Sequence, residues 1–380
     1  MTPIKPFYFD LAPDEIRLFN EESAKVLQSG RLILGDQTRR FENEFARSVG
    51  VRHAISVNSG SSALQFLLRI KNVAGKTVLV PTNTNFATVA AVLRAGGQVR
   101  YLDMDETTFA PTLEMVRRAV ESARAAGEPV AGVLWVHIGG VVSPELPAIV
   151  EFCRGRGMFL LEDAAHAHGS ALQGVQAGNL ADGGAFSFFA TKVMTTGEGG
   201  MITTNSDEED QLARSYRNQG KRGMDFGGLH TDFGDSSRIT EIGAVLGWIQ
   251  LRKLPDMIGR RQAVYDAITR ELDAAGLRYV STRHMDVASQ YKLIVLLPEG
   301  KLPGQAKEAL AARGVILGGT VYELPCHRQP VFRGLSPESS LPVAEHWCPN
   351  HICPPITSGM TPEDGRTVGQ ALVEVLVRTA

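Results

Sequence analysis

Phe159-Leu160-Leu161-Glu162-Asp163-Ala164-Ala165-His166 and, further on, Ser187-Phe188-Phe189-Ala190-Thr191-Lys192 are the two stretches that decide how this chain folds. The first is a short apolar run of the kind seen in strands buried on both faces, and it closes on Asp163. The second is a strand candidate, Ala185 to Phe189, whose end lies near Ser187 and which delivers Lys192 shortly after. Gly197-Glu198-Gly199-Gly200 then makes a tight turn into another strand candidate. Its spacing fits neither of the common nucleotide-binding glycine loops.

Outward from these stretches the pattern repeats. Strand candidates lie at Ala54 to Val57, Thr77 to Pro81, Val99 to Asp103, Gly132 to His137, Met158 to Asp163 and Gly200 to Thr204. Helical patterns lie between them at Ser62 to Ile70, Phe86 to Arg94, Leu113 to Ala126 and Pro147 to Arg154. Strand–helix alternation predicts an α/β fold with a mostly parallel sheet covered by helices on both faces. In such sheets ligands gather at the carboxyl ends of strands. Residues 220 to 237 are rich in Gly and Asp without a period, and read as a long loop. Beyond it come helical stretches Thr240 to Leu251 and Ile258 to Ala275. A strand signal at Tyr291 to Leu297 and helices at Gln305 to Arg313 and Pro362 to Arg378 complete the chain. The expected organisation is a large domain over residues 1–250 and a smaller C-terminal α/β domain over 251–380.

Composition narrows the classes. The 380 residues are 43% hydrophobic and 21% charged, with 39 basic against 41 acidic side chains and a formal charge of -2. That is ordinary globular composition, without the basic footprint of a nucleic-acid binder. No apolar run approaches the ~20 residues of a membrane helix, and the start lacks the apolar core of a secretion signal. Four cysteines, Cys153, Cys326, Cys348 and Cys353, make no disulfide framework in so long a chain and suit reduced thiols in a cytoplasmic protein. Cys348 and Cys353 flank His351, with His346 near, but the spacing matches no common zinc site, so no metal is expected.

A lysine amine, a strand-end carboxylate and a Ser/Gly cup together are what pyridoxal 5′-phosphate (PLP) requires. Lys192 can form an imine once it loses its proton, and can afterwards carry a proton between carbons. Alone it would read as a surface charge. Asp163 can keep a pyridine nitrogen protonated; as Asp before Ala-Ala it could equally cap a helix. Asn58-Ser59-Gly60-Ser61-Ser62 follows a strand and opens a helix, whose free N–H groups and positive dipole end suit a phosphate dianion. Ser187 is a further donor. His166 can bond the cofactor's ring hydroxyl or simply pack. The loop cations Arg217, Lys221 and Arg222 can meet a substrate diphosphate or carboxylate, or be solvated charges.

With these residues in view, the chain resembles the DegT/StrS family of sugar aminotransferases, a branch of the fold-type I PLP enzymes. The likeness runs nearly end to end. Its landmarks are Asn58 to Leu64, Pro81 with Ala87-Thr88, Glu162 to Ala167, Ser187-Phe188 with Thr191-Lys192, and Gly197 to Gly200. Arg238-Ile239-Thr240-Glu241, Gln250-Leu251 and His327-Arg328-Gln329-Pro330 complete them. The resemblance implies that Lys192 carries the internal aldimine, Asp163 meets the pyridine nitrogen, and Gly60, Ser61 and Ser187 hold the phosphate. Ala165 would pack on one ring face and His166 lie near the ring hydroxyl. It implies a homodimer with shared sites, into which Gly234 to Arg238 reaches from the partner. His327, Arg238 and Lys221 become candidates for substrate contact. Two departures are visible. Asn85 stands where the family often stacks an aromatic residue, which leaves a polar contact for that ring face, with Phe86 pointing elsewhere. Ser236 stands where the family has an asparagine that reaches the partner's phosphate.

The implied reaction is ping-pong transfer of an amino group from glutamate or glutamine to a keto-sugar, with a nucleotide-linked keto-deoxysugar the first expectation. A keto-cyclitol is an alternative acceptor. A PLP-dependent sugar dehydratase is opposed by Lys192, because those relatives carry histidine there. A non-catalytic PLP-binding regulator on the same scaffold would be expected to have lost Lys192 or gained a DNA-binding module.

Overall fold

The structure is a computed structural model that describes residues 3–223, 227–336 and 340–378. Two amphipathic helices, Pro13–Ser29 (α1) and Asp36–Val49 (α2), precede the sheet. Then follow His53–Val57 (β1), Gly60–Ile70 (α3), Thr77–Pro81 (β2), Phe86–Arg94 (α4), Gln98–Leu102 (β3), Leu113–Ala125 (α5), Val130–Val136 (β4), Leu146–Arg154 (α6) and Phe159–Asp163 (β5). A small hairpin, Ala171–Leu172 (β6) and Val175–Gln176 (β7), leads to Gly184–Ser187 (β8), Gly200–Thr204 (β9) and Asp207–Arg217 (α7). The seven-stranded sheet runs β1-β9-β8-β5-β4-β2-β3. It is parallel from β8 to β3, and β9 runs antiparallel to both its neighbours. This is the mostly parallel, doubly covered sheet that the alternation predicts.

One apolar cluster fills the side of the sheet facing α2, α5 and α6; a second fills the side facing α3 and α4. Strand alternation sorts residues between them. Phe186 and Phe188 are buried against Phe41 and Phe45 of α2, with Phe45 and Phe186 edge to face at 5.0 Å between centroids. Ser187, between the two phenylalanines, faces the other way. On β5 the same rule divides Glu162 from Asp163.

Where two helices were expected, Glu241–Ala274 forms one helix of 34 residues (α8) with Pro255 inside it. An interior proline costs about 3 kcal/mol. Burial of Leu254, Met257 and Ile258 around it offsets that cost. The expected boundary between residues 250 and 251 therefore falls within α8. Along this helix the packing partner changes: residues up to Ile258 belong to the sheet's core, and those from Val264 join a C-terminal cluster. That cluster includes Pro303–Ala312 (α9) and Pro362–Val373 (α11); Pro342–Trp347 (α10) packs beside it. The strand expected at Tyr291 to Leu297 is shorter: Val295–Leu296 (β10) pairs with His351–Ile352 (β11). The terminal helix ends as α11, followed by one wider turn over Glu374–Arg378. In the expected loop, bridges pair Asn218 with Ser236 and Lys221 with His230; residues 224–226 lie outside the described residues.

Candidate active site

The carboxyl ends of β5 and β8 and the amino end of α3 enclose a cavity of about 340 Å³. Gly60, Ser61, Asn85, Asp163, Ala165, His166, Ser187 and Lys192, eight of the residues singled out from the sequence, line it. Two glycines let the helix come this close. A Cβ on Gly60 would meet the Cβ of Ser187 at 2.8 Å, and one on Gly200 would run into the backbone of Ser59. Ser59 caps α3 by accepting from the N–H of Ser62 at 3.1 Å. The N–H groups of Gly60 and Ser61 in the first turn have no intrahelical acceptor and point, with the dipole, at whatever binds there.

Asp163 is buried at the back of the cavity. Its carboxylate accepts from the Thr88 hydroxyl at 2.8 Å and from the Ala165 N–H at 3.2 Å. Burial raises its pKa, and these bonds, with the nearby Lys192, only partly oppose the rise. Lys192 is half-buried at the cavity wall. Desolvation lowers its pKa to about 8, Asp163 works against that, and Lys292 adds to it. Its Nζ lies 5.0 Å from the centroid of the Tyr291 ring. Tyr291 stacks on His166 at 4.3 Å. Burial holds His166 well below its ordinary value, so its imidazole is neutral. Its Nδ1 is buried and has no partner among the described residues. Its Nε2 lies 3.4 Å from the Tyr322 hydroxyl.

Asn85 caps α4, accepting from the Ala87 N–H at 2.9 Å. Phe86 points away and stacks on Phe332 at 5.3 Å. Tyr322, Tyr291 and Thr88 complete the surroundings without having been assigned roles from the sequence. Thr88 stood inside a recognised landmark; the two tyrosines come from the C-terminal part of the chain, and no local pattern marks them.

Six other candidates lie outside this cavity within the chain. Ser236 accepts from Arg238 at 2.5 Å, and Arg238 also donates to Asn218 at 2.8 Å. Lys221 is in the loop bridge already described. His327 lines a neighbouring cavity, held between Thr82 at 2.6 Å and Glu345 at 2.9 Å. Arg217, expected as a loop cation, is instead a buried residue of α7 that pairs with Glu42 and donates to the Ser56 carbonyl at 2.8 Å. Arg222 pairs with Asp232 through two hydrogen bonds of 2.7 Å. All four cysteines are buried and free. The His351 ring is occupied by Trp347 and Val321. Among the described residues no three potential ligands are grouped to hold a metal ion, and no helix is long and apolar enough to cross a membrane.

The sequence profile of the DegT/DnrJ/EryC1/StrS aminotransferases matches residues 13–373. The chain belongs to the DegT/DnrJ/EryC1/StrS aminotransferase family. A dTDP-4-dehydro-2,3,6-trideoxy-D-glucose 4-aminotransferase of Saccharopolyspora spinosa is 33% identical, over 91% of this chain and 90% of the relative. A dTDP-3-amino-3,4,6-trideoxy-alpha-D-glucose transaminase of Streptomyces venezuelae is 32% identical, over 93% and 92%. Among solved structures, S. venezuelae DesV in complex with a ketimine intermediate superposes with a TM-score of 0.90 at 29% identity, covering 100% of both chains. As a member of this family the protein is a PLP-dependent aminotransferase. The cavity suits that cofactor. It offers a helix amino end relieved of Cβ atoms for an anion, a buried carboxylate for a ring N–H, an unpartnered imidazole nitrogen, and a lysine whose lowered pKa exposes a free amine near neutrality.

Proposed function

We propose that the protein transfers an amino group from glutamate or glutamine to a nucleotide-linked keto-deoxysugar. The observation that carries the proposal is the convergence of Lys192, Asp163 and the α3 amino end on one cavity. The substrates follow from the relatives, several of which are named for dTDP-, GDP- or UDP-linked sugars. PLP supplies an aldehyde to which amines add and a ring that accepts electrons released at the adjacent carbon.

Around it each residue has one task. The N–H groups of Gly60 and Ser61 and the Ser187 hydroxyl hold the phosphate. Asp163, fixed by Thr88 and Ala165, accepts the ring N–H, and that positive partner brings its raised pKa down again. His166 offers a neutral nitrogen to the ring hydroxyl, Ala165 packs on one ring face and Asn85 makes a polar contact with the other. Lys192 anchors the cofactor and, once released, takes a proton from one carbon and returns it to another; its pKa of about 8 suits both directions. Because Ser236, Arg238 and Lys221 do not line this cavity in their own chain, we place them in the site of a partner subunit, which makes the enzyme a homodimer. Ser236 would reach the phosphate through water, and His327 would bound the acceptor's approach. The reaction is ping-pong and cytoplasmic.

The test is incubation of the purified holoprotein with L-glutamate or L-glutamine and a panel of dTDP-, GDP- and UDP-linked keto-sugars, followed by mass analysis. The proposal expects one keto-sugar to gain the mass of an amine for a ketone, in step with formation of 2-oxo acid. Release of 2-oxo acid with no aminated nucleotide sugar from any member of the panel would overturn the acceptor assignment.

A further inference from the structure

A second cavity, of about 260 Å³, lies on the other side of Lys192. Lys192 and Tyr322 line both spaces, so the two meet at the reactive amine. Tyr8, Tyr291, Lys292 and Thr320 are among its other walls. Lys292 is the unusual member. Its side chain is half-buried, with Nζ 5.6 Å from the Tyr291 ring centroid, and it makes no hydrogen bond or ion pair among the described residues. A charge drawn partly out of water with no counter-charge is unfavourable, and one that faces a cavity is placed to meet an anion there. The neighbouring cation is already committed. Arg261 gives its Nε and Nη2 to the carbonyls of Ser289, Gln290 and Tyr291, and so fixes the segment that carries Lys292. Room has been kept for the ammonium as well: a Cβ on Gly318 would lie 2.7 Å from Lys292 Nζ.

We infer that Lys292 receives a carboxylate of the amino-acid donor, an assignment that rests on the donor half of the function proposed above. An α-amino acid carries its amine and a carboxylate on one carbon, so both must land near Lys192. The Lys192 and Lys292 ammonium groups flank the same tyrosine ring, at 5.0 and 5.6 Å from its centroid. The volume argues against the nucleotide substrate: sites that bury drug-sized ligands hold about 300–1,000 Å³, and this space falls below that range.

The test is the donor half-reaction of the holoenzyme, followed by cofactor absorbance in a stopped-flow instrument over a range of L-glutamate concentrations. Lys292→Met should raise the half-saturating concentration at least tenfold while the limiting rate changes less than threefold. Lys292→Arg, which keeps the charge, should restore most of the affinity. Gly318→Ala, which crowds the ammonium without removing it, should shift affinity the same way by a smaller factor, and carries the test if Lys292→Met fails to fold. An unchanged half-saturating concentration in these variants, with the native enzyme reactive, would overturn the role of Lys292 alone. So would a defect confined to the reverse half-reaction with an amino-sugar nucleotide, which would make the anion a diphosphate. A native holoenzyme that no amino acid converts would overturn the donor reading, and this assignment with it.

Discussion

Glu162 and Asp163 are adjacent on β5, both buried, and differ in what surrounds them. Glu162 faces the α2 side and is saturated: it accepts from the N–H groups of Gly178, Leu180 and Ala181 at 2.8 to 3.0 Å and lies 2.9 Å from His137. Asp163 faces the cavity with two partners, and burial pushes its pKa up. A carboxylate whose lone pairs are all taken by fixed N–H groups holds a loop in place. One left short of partners beside a cavity is arranged for a ligand. On β5, then, one carboxylate is spent on holding a loop and its neighbour is left facing the cavity.

The largest effect that would sharpen this contrast is expected at Lys192. Lys192→Ala should lower turnover by about 10⁴-fold, the upper range for general acid–base catalysis, and leave the urea midpoint close to wild type. Substantial residual turnover, measured by 2-oxo acid release, would remove the cavity side's central residue. Asp163→Asn should follow, with turnover down about 10²- to 10³-fold, the size seen when one preorganised electrostatic contact is lost. Its stability should behave in the opposite way. A carboxyl whose folded pKa lies above its ordinary 3.8 weakens the fold at pH 7.5, where the unfolded group is ionised. The apoprotein of Asp163→Asn should accordingly unfold at no lower urea concentration than wild type.

Glu162→Ala should do the reverse. It strands three backbone N–H groups, at about 1–3 kcal/mol each for an unsatisfied buried donor, so a loss of about 3 kcal/mol or more is expected from denaturant titration. An equal loss of stability at both carboxylates would break the comparison. The smallest effect is in pH. Burial disfavours the Lys192 ammonium and sets its pKa at about 8. At pH 7.5 roughly a quarter of the apoprotein then carries a free amine, against roughly a thousandth at the ordinary lysine value. The rate at which apoprotein takes up PLP should rise about tenfold per unit below pH 8 and level off above it. A rise that continued toward pH 10 would place Lys192 in water.

The strands of the sheet were legible in the sequence because buried parallel strands are continuous apolar runs, and the candidates Asp163 and Lys192 stand out because they interrupt or follow such runs. Helices α1, α2 and α7 were not, since their polar composition hides the narrow face each buries. The sequence pattern gives two helical stretches where α8 is one, because the packing that carries the helix through Pro255 is tertiary. Thr88 has no role that the sequence reveals, as its bond to Asp163 spans 75 positions. Tyr291, Lys292 and Tyr322 reach the site only through the return of the chain after α8. Lys221, Ser236 and Arg238 do not line the cavity of their own chain, and a local motif carries no record of that tertiary placement.

Reduction of the PLP-loaded protein with sodium borohydride, followed by peptide mass mapping, tests the central claim most directly. The account predicts a phosphopyridoxyl label on the peptide containing Lys192 and on no other. Label on Lys292, on another lysine, or on none would contradict it.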